Sequence, residues 1–174
     1  MMSRIVFATL VAALLTLTPA TAGAQPPGSP AAARQVVSAN PFGLLIGWFN
    51  AEFERQVSES VTAGAGASTF DWGGEHGFSR DDDRYVNGDV FVRYYPGGRT
   101  LQGFALGVKA GLTKGGSASA RFGVGLDTNW NWLLGKRDNV YVGLGFGLKR
   151  LVGADSDYPL VIPTIRIINL GVAF

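Results

Sequence analysis

Between Arg121 and Trp132 the chain alternates without a break. Phe122, Val124, Leu126, Thr128, Trp130 and Trp132 hold the even positions. Arg121, Gly123, Gly125, Asp127, Asn129 and Asn131 hold the odd ones. Successive side chains of a β-strand point to opposite faces. One face of such a strand is therefore apolar and ends in two tryptophans, and the other is glycine, charge and amide. A barrel strand with lipid outside and a polar lumen inside requires this division.

Composition narrows the reading. Charged residues make up 16% of the 174, where about 25% is usual for a soluble domain. The 25 glycines sit largely inside apparent strands, which soluble proteins avoid. The absence of cysteine excludes a disulfide framework, a thiolate nucleophile and a Cys-ligated metal. A net charge of +2 with scattered Lys and Arg and no recognition motif gives no reason to expect a nucleic-acid partner.

Met1 to Ala24 reads as a secretory signal peptide. Arg4 supplies the basic start, Ile5 to Leu17 the apolar run, and Ala22-Gly23-Ala24 the small-residue cleavage site. The run is too short for a spanning helix, which needs about 20 apolar residues. Gln25 to Arg34 is a Pro/Ala-rich linker. From residue 35 to 174 the chain is a train of period-2 segments divided by turn signals. Strands are expected over Gln35–Phe42, Trp48–Val57, Val61–Phe70, Tyr85–Tyr95, Gln102–Leu112, Arg121–Trp132, Val140–Lys149 and Leu160–Phe174. Residues 61–70 are nearly all small, so their facing stays open. A membrane strand needs about 9–11 residues, and most of these segments are of that length. Short turns alternate with longer connections, as in membrane barrels with short periplasmic turns. The fold expected is all-β: an eight-stranded antiparallel up-and-down transmembrane β-barrel.

The signal peptide, the alternating strands and the terminal Leu170-Gly171-Val172-Ala173-Phe174 resemble the small outer-membrane barrels of the OmpA/OmpX-type class. Ser38-Ala39-Asn40-Pro41-Phe42-Gly43, followed by Phe53-Glu54-Arg55, is similar to outer-membrane barrel families of uncharacterised function. The resemblance implies residence in the outer membrane of a Gram-negative cell envelope, among outer-membrane lipids and lipopolysaccharide. It also implies assembly through a C-terminal signal at Leu170, Val172 and Phe174, read by the barrel-assembly machinery. A monomer with no cofactor and no metal is expected.

The inward charges expected are Glu52, Glu54, Asp89, Asp127, Arg93, Lys109, Arg121 and Lys149, four acids against four bases. An eight-stranded barrel is just wide enough for side chains to fill, and buried charges must be paired. The set therefore reads as a polar plug that holds the barrel together, with a narrow porin-like ion path as the alternative. Tyr94, Tyr95, Trp130, Trp132 and Phe174 fall at the periplasmic strand ends and read as an interfacial aromatic girdle. In a soluble barrel they would be core aromatics.

Catalytic residues are not expected. His76 is the single histidine and so the one neutral-pH base. It shares a Gly-rich loop with Asp71 and Ser79, which cannot hold a triad rigidly. Asp81-Asp82-Asp83 with Arg80 and Arg84 could meet cations or phosphates, but such runs are usually solvated. The role expected is structural or surface-interacting. The alternatives are a deacylase-like outer-membrane enzyme and a secreted soluble barrel that binds an apolar ligand, with its apolar face inward.

Overall fold

The computed structural model describes residues 35–71, 84–116, 119–153 and 161–174. The expected signal peptide and linker and the loop residues His76, Ser79, Arg80 and Asp81 to Asp83 lie outside the described residues. Eight strands form one closed antiparallel barrel in which each pairs with its sequence neighbours. They are β1 (Gln35–Ala39), β2 (Trp48–Gln56), β3 (Val61–Asp71), β4 (Arg84–Tyr94), β5 (Gly103–Gly115), β6 (Arg121–Leu134), β7 (Val140–Leu151) and β8 (Val161–Ala173). The fold is thus all-β and up-and-down, as the alternation predicts. No helix among the described residues is long and apolar enough to cross a membrane, which says nothing about strands.

Facing follows the alternation in β6 and β7. Leu126 is 66% exposed, and Phe146 also points outward. Asp127 and Lys149 are buried inside. In β3, whose facing the sequence leaves open, Thr62 is buried inward and pairs with Arg93 of β4. The inward set is then Thr62, Gly64, Gly66, Ser68 and Phe70, by the two-residue period. Glycine has a definite use at two of these inward sites. A Cβ on Gly107 would collide with the Asp127 carboxylate and press on the Arg93 stem, and one on Gly64 would enter the Phe91 ring. Large side chains from neighbouring strands occupy the room those glycines leave.

The first strand is shorter than its sequence suggests. Instead of running to Phe42, β1 ends at Ala39, because Pro41 lacks the N–H a ladder needs. Pro41 instead opens a 3-10 turn over Phe42–Ile46, and Gly47, at φ 71°, reverses the chain into β2. Closure rests on the whole of β1 and the end of β8, where Val36–Ala39 pairs with Ala173–Leu170. The bonds Gln35 N–H to Phe174 O (3.0 Å) and Phe174 N–H to Gln35 O (2.9 Å) complete it.

A bulge interrupts β8. Asn169 pairs with Gly143 and Arg166 with Gly145, so Ile167 and Ile168 together oppose Leu144. Ile168 takes a left-handed φ of 43°, and both isoleucines are exposed. The extra residue reverses the inside–outside phase of everything before it in the strand.

Candidate functional site: the polar lumen

The interior is built around Arg93, which β4 projects to the barrel axis at 1% exposure. Its Nη1 donates to Glu54 Oε2 at 2.6 Å and to Glu52 Oε2 at 3.1 Å. Its Nη2 donates to Asp127 Oδ2 at 3.3 Å. The guanidinium also lies 3.9 Å from the centroid of the Phe91 ring. Three carboxylates from two sides of the barrel thus converge on one cation. A planar fork of five donors suits this task and a lysine would not.

Second-layer bonds tie this centre to the wall. Glu54 Oε1 accepts from Thr62 Oγ1 and from the Tyr95 hydroxyl, each at 2.6 Å. Asn131 Nδ2 donates to the Tyr95 oxygen at 3.1 Å, and the Tyr141 hydroxyl donates to Asn131 Oδ1 at 2.7 Å. Arg166 spans the remaining side. Its Nη1 donates to Asn129 Oδ1 and its Nη2 to the Tyr141 oxygen, both at 2.9 Å. Its Nε lies 3.3 Å from Glu52 Oε2. Asn129 Nδ2 in turn donates to Asp127 Oδ1 at 2.9 Å.

A second pair stands toward the opposite end, where Lys149 Nζ lies 2.5 Å from Asp89 Oδ1. Lys149 also donates to Thr113 Oγ1 at 3.0 Å, and Thr113 donates to Asn87 Oδ1 at 2.6 Å. Lys109 bonds Thr164 Oγ1 and stands 3.9 Å from Asp127.

Seven of the eight expected lumen charges fall in these two groups: Glu52, Glu54, Asp89, Arg93, Lys109, Asp127 and Lys149. Arg121 lies half-buried at the start of β6, opposite Thr113. Arg166 is absent from the expected set because unbroken alternation from Phe174 places it outward. The bulge at Ile167–Ile168 turns it in.

Tyr95 corrects the expected girdle. It is 0% exposed and bonded to Glu54, so it belongs to the interior. Strand parity contains the signal, since Arg93 faces inward and Tyr95 stands two residues on. Tyr94, Trp130, Trp132 and Phe174 are on the outer surface at the short-turn end. There Trp130 stands 6.3 Å from Phe104 and 6.4 Å from Trp132. Leu170 and Val172 also point outward.

Leu101 could not be read from the local pattern. The turn between β4 and β5 folds it, at φ 65°, into the mouth of the barrel. There it is buried in a cluster with Val36, Tyr141 and Ala173.

Removing the Tyr95 hydroxyl tests the inner network. Tyr95→Phe leaves Glu54 Oε1 with Thr62 alone and deprives Asn131 of an acceptor. A loss of about 1–3 kcal/mol is expected for such unsatisfied buried groups, read as a lower urea midpoint of the refolded barrel. An unchanged midpoint would show that the hydroxyl bond carries no stability.

Among the described residues no group of three His, Cys, Asp or Glu is placed to hold a metal. The lumen carboxylates already have cationic partners. The fold and interior define a closed eight-stranded up-and-down barrel with charge inside and apolar side chains outside. No protein-family model, curated protein or solved structure matches the chain.

Proposed function

We propose that the protein is an integral outer-membrane β-barrel with a structural or surface-interaction role, its lumen filled by a polar plug. The observation that carries this reading is the inversion of polarity. Val90, Val92, Leu106, Val108, Leu112, Val124, Leu126, Phe146 and Leu148 form the outer surface. Arg93, Lys149, Glu54 and Asp127 are enclosed. A soluble monomer rarely exposes a continuous apolar surface beyond a few hundred Å², whereas a barrel in lipid needs one. A soluble barrel for an apolar ligand would require Leu126 and Phe146 inside.

The plug is favoured over an ion path by Leu101, Val36 and Tyr141, which pack across the short-turn mouth, and by the Arg93 centre behind them. Tyr94, Trp130, Trp132 and Phe174 would lie at one membrane–water boundary. Leu170, Val172 and Phe174 would present the assembly signal along the edge where the barrel closes.

Cell fractionation tests the location. The mature chain is expected in the outer membrane, with folded and boiled samples migrating differently in detergent gels. Recovery in a soluble fraction, with no heat-dependent shift, would overturn the assignment.

A further inference from the structure

Among the described residues the β1–β8 seam that closes the barrel is paired only at the short-turn end. β8 runs over Val161–Ala173, yet β1 pairs with it only up to Leu170. Among the described residues no strand pairs with the β1-facing edge of Val161–Asn169. The 3-10 turn that follows β1 packs against β2. Pro163, which cannot donate to a ladder, sits in this half of β8, as expected for an edge.

A cavity of about 60 Å³ lies behind the gap. It is part of the lumen, lined from β2 round to β8, and Trp48 and Asn50 of β2 with Ile162, Thr164 and Arg166 of β8 form the side of it that faces the gap. Unpaired backbone is tolerated at membrane depth only where it is buried in protein or lines a water-filled cavity, and here a polar cavity stands behind it. The gap is therefore a line along which polar interior and acyl chains would meet sideways.

Asn50 marks the inner side. It is 4% exposed, and neither its Nδ2 nor its Oδ1 has a hydrogen-bond partner. Buried polar atoms are rarely left so, and Asn169 of β8, 0% exposed, is in the same position. The outer rim is apolar, with Val161, Pro163 and Ile167 exposed. The charges that line the cavity balance, with Glu52, Asp89 and Asp127 against Arg93, Lys109 and Arg166.

We propose that this seam is a lateral binding site for a single-chain amphiphile, with a small uncharged hydrogen-bonding head at Asn50 and its tail outside against β8. The site rests on the membrane reading given above. Balanced charge selects against an ionic head, and the volume admits a hydroxyl-bearing head but no acyl chain. A side-chain amide serves a hydroxyl as both donor and acceptor.

The test uses the full mature barrel refolded into phosphatidylcholine vesicles with a monoacylglycerol that carries a diazirine in its tail. Photolabel is expected on peptides covering Val161–Ile167 and Trp48–Glu52. Excess monopalmitoylglycerol should compete at least tenfold better than lysophosphatidylcholine, whose head is too large. Asn50→Leu, and Ser68→Leu on the paired position of β3, should each cut labelling at least tenfold. Both variants must still float with vesicles and show the heat-dependent gel shift. If either misfolds, Asn50→Ala and Ser68→Val replace them with the same expectation.

Label spread evenly over the outward residues of β5 and β6, as for bulk lipid, would overturn the site. Equal competition by lysophosphatidylcholine would overturn it too, as would a seam found cross-linked to a second copy. A wild-type chain that fails to float defeats the membrane reading and the seam together. One that floats but labels evenly defeats the seam alone.

Discussion

Arg93→Met is expected to destabilise the refolded barrel by about 3–5 kcal/mol, the usual penalty for removing one partner of a buried ionic cluster. The methionine fills much of the same volume, so the loss is electrostatic rather than a cavity effect. Glu52, Glu54 and Asp127 would keep their burial but lose the cation that all three share. Arg166 compensates Glu52 alone, and Lys109 stands at 3.9 Å from Asp127. Among the described residues Glu54 pairs with Arg93 alone and would retain only its Thr62 and Tyr95 bonds.

The double variant Arg93→Met/Glu54→Leu should recover part of the loss, because replacing a buried pair is far less costly than breaking one. Urea unfolding in lipid vesicles measures both, and the coupling of the pair follows from the complete cycle. If Arg93→Met alone shifts stability by less than about 1 kcal/mol, a value typical of exposed ion pairs, the lumen is hydrated enough to screen its charges. The plug would then be the wrong description of it.

Leu126→Arg should lower the stability of the membrane-inserted barrel by about 2–4 kcal/mol, the range for arginine on a lipid face near the midplane. Leu126 stands midway along β6, pairs with Val108 and Leu148 on either side, and all three point outward. Thr128→Arg, two residues nearer the short-turn end, should cost less, because the penalty falls toward the interfaces. That gradient separates the two readings of the outer surface. In a soluble barrel, arginine at an exposed position would be near neutral at both sites and would raise solubility. Folded, soluble Leu126→Arg protein obtained without detergent would remove the membrane assignment.

The alternation of β6 and β7 was sufficient to place Asp127 and Lys149 opposite Leu126 and Phe146. Parity is a local property: once a segment is a strand, steric geometry alone sends neighbouring side chains to opposite faces. The same rule applied to β4 puts Tyr95 with Arg93 and not with Tyr94. Its assignment to a girdle followed the aromatic character of the residue where its position was the better guide. In β3 the rule supplied no facing, because Ala, Gly, Ser and Thr differ too little in polarity to say which side is inside. Pairing with β4 decided it.

What the sequence by itself determined is the number of strands, their antiparallel succession and, where polar and apolar residues alternate without a bulge, the sign of each face, since these follow from period and turn chemistry over a few residues. The tertiary structure decided the rest. Arg166 enters the lumen because β8 accommodates one extra residue against β7, an offset no single strand encodes. Leu101 closes the mouth because the turn that carries it is folded over Val36 and Tyr141 from distant strands. β1 ends at Ala39, just before Pro41, leaving the upper edge of β8 without a strand partner among the described residues. Each depends on how separate segments meet, and register between segments is a property of the closed sheet.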